Sequence, residues 1–369
     1  MNYGKGEIHM PELKGIPGWF LGANAPKGYF SRFDQLFTSA PCGRCFLIKG
    51  GPGTGKSTAI KKAAALLFEK DKGTEIIYCS ADTNSLDAVI SGDGKISVAD
   101  ATNPHAAEPK YPGIYETTVS FCDCWDEGVL RENGEKAAEL FDLNRKSHEE
   151  ARRYIAAAAN LFEEAMKLET EAVHVEKIIK TALKICIKEF GKRRREAGTE
   201  KIRFLSAVTD KGVLFLDETP KILCKKIYFI EDEAGAASKI FMNTVRKAAL
   251  EYGFDIITCR CPIFPTEKTE HIFIPSAGLG FMTVNKRHKT DIIPDKIIHS
   301  GRFCDEKKLA KRKIRIKFAL RFGEELIEKA AECMKEAKIF HDELESIYKN
   351  AMDFSLADKK TEEMLEKIR

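Results

Sequence analysis

Short apolar runs alternate along the chain with amphipathic ones, and the alternation predicts strands and helices in turn. Residues 46–48 read as a buried strand, followed by a glycine-rich turn and an amphipathic helix over 58–69. Further strands are expected at 75–79 and 96–99, divided by the turn-forming Ser91-Gly92-Asp93-Gly94. From 135 to about 195, and again from about 307 to 369, Ala, Glu and Lys dominate, which predicts long helices with breaks near 168–170 and 338–341. Strands alternating with helices argue for an α/β fold with mainly parallel sheets. Each sheet is expected to be followed by a helical hairpin laid beside it.

The pattern also repeats. FLGANAPKGYF at 20–30 leads into CFLIKGGPGTGKS at 45–57, and FLSAVTDKGVLF at 204–215 leads into IYFIEDEAGAASK at 227–239. Phe46 and Tyr228 then start equivalent strands, 182 positions apart, and the same offset pairs Cys42 with Cys224, Phe121 with Phe303, Cys122 with Cys304 and Asp123 with Asp305. EIIYCSAD at 75–82 matches DIITCRCP at 255–262 at a slightly smaller shift. Matches in the same order over most of the chain indicate a tandem duplication. The expected division is 1–195 and 196–369, joined by the charged, unpatterned stretch 191–201.

One motif carries sharp chemistry. Gly50, Gly51, Pro52, Gly53, Thr54, Gly55, Lys56 and Ser57 match G-x-x-x-x-G-K-[ST], with Thr58 opening the helix behind it. Glycines let backbone N–H groups approach phosphate oxygens, and the helix N-terminus adds its dipole and unpaired donors. Lys56 is expected on the β- and γ-phosphates and Ser57 on Mg²⁺. The chain therefore resembles the P-loop NTPase superfamily. More broadly it resembles a bacterial family of duplicated P-loop ATPase-like proteins, through GGPGTGKS, CSADTNSLD (79–87), DATNPH (100–105) and KYPG (110–113). The resemblance implies two tandem P-loop NTPase-like domains, nucleotide binding and hydrolysis; it supplies no substrate.

Mg²⁺ also calls for an acid at the end of a buried strand. Asp100, ending ISVAD, is the first candidate, Asp82 the second, and Asp87 a loop carboxylate within reach. His105 could contact phosphate or move a proton, although a merely structural imidazole fits its generic context as well. In the second half a fixed offset puts Ser238 at Lys56, Ala237 at Gly55, Asp232-Glu233 at Gly50-Gly51, Met282 at Asp100 and Pro262 at Asp82. Two carboxylates where phosphate should sit would repel it, so the second half reads as a pseudo-site.

Other motifs weigh less. VLFLDETP (213–220) offers Asp217 and Glu218 as an ATPase strand-plus-acid element, but it precedes the degenerate loop. Asn285-Lys286-Arg287-His288 lacks the Asp of a guanine-reading N-K-x-D, which favours ATP over GTP. The C-x-x-C of Cys42 and Cys45 has no partner pair, so the thiols read as packing residues. A length of 369 residues suits two domains, and the net charge of +4 hides nine Lys or Arg against two acids over 301–321. That segment could contact nucleic acid or a protein. No apolar run is long enough for a transmembrane anchor, the start carries no secretory signal, and eleven cysteines in no framework suggest reduced thiols. A cytoplasmic location and no membrane partner are expected. The functions in view are Mg-dependent ATP hydrolysis, kinase-like phosphotransfer, or an ATP-gated binding protein.

Overall fold

The computed structural model describes residues 13–36, 43–104, 107–194 and 196–369. In the first half β1 (Gly18–Trp19) and the hairpin β2 (Gly22–Ala25) and β3 (Gly28–Ser31) precede β4 (Arg44–Lys49) and α1 (Lys56–Lys70). Then come β5 (Glu75–Tyr78), β6 (Leu86–Ile90), β7 (Ile96–Asp100), β8 (Glu116–Ser120), α2 (Glu127–Glu132), α3 (Gly134–Thr170) and α4 (Val175–Phe190). The second half runs β9 (Glu200–Arg203), β10 (Ser206–Thr209), β11 (Gly212–Phe215), α5 (Glu218–Leu223), β12 (Lys226–Glu231) and α6 (Ala236–Glu251). It finishes with β13 (Ile256–Arg260), β14 (Thr269–Ile274), β15 (Leu279–Val284), β16 (Lys296–His299), α7 (Glu306–Ala351) and α8 (Phe354–Ile368).

Two six-stranded sheets result, ordered β1-β5-β6-β7-β4-β8 and β9-β13-β14-β15-β12-β16. Position by position the two orders are the same, and so are the directions. Each sheet has three parallel pairings and two antiparallel ones, the latter made by its consecutive hairpin strands. The fold is thus α/β with mixed, mostly parallel sheets. Strand β6 is not among the expected strands, since CSADTN ahead of it is all turn chemistry, yet LDAVI is buried throughout. Asp87 is accordingly a buried strand residue.

Strand register refines the repeat. Ile77 and Cys259 occupy the same place against β1 and β9, so Cys79 matches Cys261 rather than Cys259. Ile48 faces Asp100 as Ile230 faces Thr283, which makes Thr283, not Met282, the counterpart of Asp100. The stretch between Cys79 and Ser85 is one residue shorter than that between Cys261 and Lys268, so Asp82 has no single counterpart at Pro262. Farther on, the Asp126 and Asp305 amides donate to Ala351 and Ala172 respectively. That sets the offset at 179 and replaces the pairings of Phe121 with Phe303, Cys122 with Cys304 and Asp123 with Asp305.

The helical arms do not lie beside their own sheets. The apolar face of α4, with Ile178, Ala182, Ile185 and Phe190, packs on α6 of the second half. In return α8, through Ala357, Met364 and Leu365, packs on α1 of the first. Between them α3 and α7 run antiparallel, as the Arg312–Glu171, Arg315–Glu164 and Lys136–Glu343 pairs require. The break expected at 338–341 is absent, because α7 continues to Ala351 and Asp353 caps α8 instead. The first break falls at the end of α3, close to its expected place.

The halves meet around a local two-fold. Phe20 and Phe204 exchange both backbone hydrogen bonds, each 2.9 Å. Trp19, Phe20, Leu47 and Ile77 share one core with Phe204, Phe229, Phe273 and Met282. Glu75 of the first sheet bonds Arg203 (3.0 Å) and Lys201 (2.9 Å) of the second. Burial works against its carboxylate, but the two cations hold it below the ordinary glutamate range.

Candidate functional site

The glycine-rich loop joins β4 to α1, and the reason is local. β4 is a buried apolar strand paired on both sides, with β7 and with the edge strand β8, and α1 buries Ala59, Ile60, Ala63, Ala64 and Leu67 against the sheet. The turn between them needs left-handed backbone at Gly53 (φ 65°) and at Gly55 (φ 92°), the residue preceding the helix. Thr54 is buried and donates to the Gly51 carbonyl at 2.9 Å, which fixes the loop's shape. Thr58 is exposed on the first turn of α1.

Lys56 lies over this loop. Its ammonium donates to the carbonyls of Gly50 (3.2 Å) and Gly51 (2.6 Å) and stands 3.7 Å from Asp100 Oδ2. Asp100 ends β7, the parallel neighbour of β4, and its other oxygen accepts from the Thr102 amide and hydroxyl. The Ser57 hydroxyl accepts the Leu86 amide at 2.9 Å, which ties the start of α1 to β6. Lysine and strand-end acid therefore meet over the loop, while the serine at the start of α1 is held against β6. Asp82 does not join them: its carboxylate accepts from Ser85 (2.7 Å) and pairs with Lys338 of α7 at 3.4 Å. Burial opposes that carboxylate's charge, but those partners hold it below the ordinary aspartate range. Asp217 and Glu218 pair with Lys221 on α5, which packs on β1, β14 and β15. His105 lies outside the described residues.

Three residues stacked over the loop had no signal in the sequence. The Tyr348 ring of α7 sits on Gly51, so close that a Cβ there would come within 2.4 Å of it. The Glu345 carbonyl of the same helix would meet a Cβ at Gly53 at 2.9 Å. Trp125 stands edge-on to Tyr348 at 5.6 Å. An arm from the second half thus covers the loop of the first, and it lies nearly 300 residues away in the chain. Tyr29 had no signal either: burial raises its hydroxyl well above the usual tyrosine range, with Asp87 and, more weakly, Asp100 adding to the shift.

The second loop is built and filled differently. Gly235 (φ 97°) precedes α6 as Gly55 precedes α1, so Ala236, not Ser238, stands where Lys56 does. Four residues separate β12 from α6, against six between β4 and α1. Asp232 turns into the loop and accepts the amides of Gly235 (2.9 Å) and Ser238 (2.7 Å). Glu169, on α3 at the place of Tyr348 on α7, accepts the Ala236 amide at 2.9 Å. Burial and the adjacent Asp232 push the Glu169 carboxyl up to about 8. The two acids that occupy the loop's donors are therefore Asp232 and Glu169, while Glu233 is exposed. Lys268, paired with Glu270 at 3.0 Å and buried, abuts Gly235.

Among the described residues no group of three or more His, Cys, Asp or Glu could hold a metal ion. The donors at the first loop suit a different kind of ion. Mg²⁺ takes one or two protein oxygens and fills its other positions with phosphate oxygens and water, and Ser57 and Asp100 are the residues near the loop that could offer such oxygens. Cys45, Cys124, Cys186, Cys259 and Cys261 are buried, in keeping with packing roles, whereas Cys122 is exposed and Cys42 lies outside the described residues. In the basic segment, Arg312 is engaged by Glu171 just past α3, Arg315 by Glu164 of α3, and Arg321 by Glu325. No described helix is long and apolar enough to cross a membrane. Comparison of the chain with protein-family models, curated proteins and solved structures finds no match.

Proposed function

We propose that the first half binds Mg·ATP and hydrolyses it, in a cytoplasmic protein whose second half is a pseudo-site. The observation that carries this reading is the Gly50–Ser57 loop itself, set between a buried strand paired on both sides and a helix, with Lys56 within 3.7 Å of the strand-end Asp100. Loop amides and the start of α1 would take the phosphates, and Lys56 would exchange a loop carbonyl for the β- and γ-oxygens. Ser57 and, through water, Asp100 would hold Mg²⁺, which supplies charge neutralisation on the transferred phosphoryl group. Water is then the nucleophile.

The filled donors of the second loop support assigning turnover to the first half alone. With Asp232 and Glu169 on its amides, a phosphate would meet two acids in a buried setting. A second reading has a specific observation behind it. Because Tyr348 and Glu345 cover Gly51 and Gly53, occupancy of the loop by phosphate would bear on α7, which suits an ATP-gated binding protein with slow turnover.

The test is ATP and GTP binding and phosphate release by the full chain, beside Lys56→Ala. Removing the lysine is expected to lower turnover by about a hundredfold or more. Wild-type turnover in the variant would remove this assignment. Release that rises only with added polyanion or protein would select the gated reading.

A further inference from the structure

The outer face of α4 carries an apolar row that the fold does not require. Val175, Ile179, Leu183 and Ile187 recur every fourth residue and are 43%, 37%, 40% and 63% exposed, while the opposite face is seated on α6. Beside each of the last three stands an exposed lysine, Lys180, Lys184 or Lys188, and none of them makes an ion pair with a described residue. The helix leads directly into Lys192, Arg193 and Arg194. Of its two acids, Glu189 is neutralised by Lys226 and Glu176 lies in the first turn.

The duplication provides a control within the molecule. His174 and Asp353 precede α4 and α8, and their amides donate to Phe303 and Cys124 at matching places, so the two helices align at an offset of 179. In α8 the positions of Val175, Ile179, Leu183 and Ile187 hold Phe354, Asp358, Glu362 and Glu366. A helix docked in the same manner thus accepts acids where α4 shows Ile and Leu. The row on α4 answers to something outside the chain.

We infer that α4 is a surface for docking on an anionic lipid bilayer, lying in the interface plane with its apolar row inserted and its lysines on the headgroups. Two requirements narrow the occupant: it must cover a straight apolar ridge and supply negative charge along its length. A second copy docking α4 on α4 would oppose lysine to lysine, and the acidic face of α8 offers only Phe354 as an apolar contact. The ridge lacks the pocketed, fully enclosed anchors that protein partners use, whereas a row of apolar side chains flanked by Lys is what an in-plane helix needs. The expectation of no membrane partner rested on the absence of a long apolar run, and that excludes a spanning helix only.

The test is co-sedimentation of the full chain with vesicles of equimolar phosphatidylserine and phosphatidylcholine, and with phosphatidylcholine alone. Wild type should sediment with the first and stay in solution with the second. The triple variant Ile179→Asp, Leu183→Glu, Ile187→Glu places the residues of α8 on α4, and its fold is checked by circular dichroism and melting. It should bind the anionic vesicles at least tenfold more weakly. Lys184→Gln with Lys188→Gln should weaken binding severalfold and reduce its salt sensitivity. Wild type that stays in solution with both vesicles, or a folded triple variant that binds as wild type does, would overturn the inference.

Discussion

His271 and His288 lie in the core of the second half with their rings 5.2 Å apart and Phe215 against both. His288 bonds the Ser206 hydroxyl at 3.1 Å, while neither ring nitrogen of His271 has a partner among the described residues. Burial pushes both imidazoles below the ordinary histidine range, His288 to about 4. Glu270 opposes the shift in each, Lys268 reinforces it in each, and the His288 charge adds to that of His271 and Arg287 to that of His288. Both rings are therefore neutral in the fold. As pH falls below the unfolded value near 6.5 the unfolded chain takes up protons that the fold refuses, so stability is full above that pH and drains down to about 4. For His288 this amounts to roughly 3 kcal/mol. His271→Phe should remove one buried imidazole, leave stability at pH 7 unchanged or higher, and shrink the fall in urea midpoint between pH 7 and pH 4.5. An unchanged fall would place the acid sensitivity elsewhere.

At the scale of elements, the joint between α3 and α7 decides how the arms reach the opposite halves. Gly323 of α7 faces Phe162 of α3 so closely that a Cβ would stand 2.6 Å from the ring. Phe162 is itself enclosed by the arm core and by Arg287 over its face at 4.5 Å, so it has little room to give way. Gly323→Val should cost about 1–3 kcal/mol in thermal or urea unfolding. Gly134→Ala, at an open position where α3 begins, should be neutral within about 0.5 kcal/mol. Equal effects at both sites would mean that helix propensity, not the close approach, governs the joint.

At the scale of the molecule, the exchanged arms make the two halves interdependent. A fragment ending at 195 would retain α4 without α6 and α1 without α8, leaving the apolar faces of both pairs in water. The fragments 1–195 and 196–369 should each be expanded or aggregate alone and combine as an equimolar complex when co-expressed, as read by gel filtration and near-ultraviolet circular dichroism. A monomeric first fragment with native spectra would show that the sequence division is also a folding division.

Much of this was legible in the residues. The duplication, the strand–loop–helix around Lys56, and Asp100 as the end of a strand follow from local pattern, because periodicity and glycine placement act within a few residues of themselves. The loss of the lysine in the second loop was legible too. Its cause was not: a two-residue shortening moves Ala236 into the place of Lys56, and a fixed sequence offset cannot register a gap inside a loop. Nor could the sequence reveal Tyr348 over Gly51, Glu169 on the Ala236 amide, or α4 on α6. Those contacts join residues dozens to hundreds of positions apart, and they exist because the long arm helices cross between halves before docking. Local chemistry wrote the loop into the chain. Which arm covers it was decided only by packing.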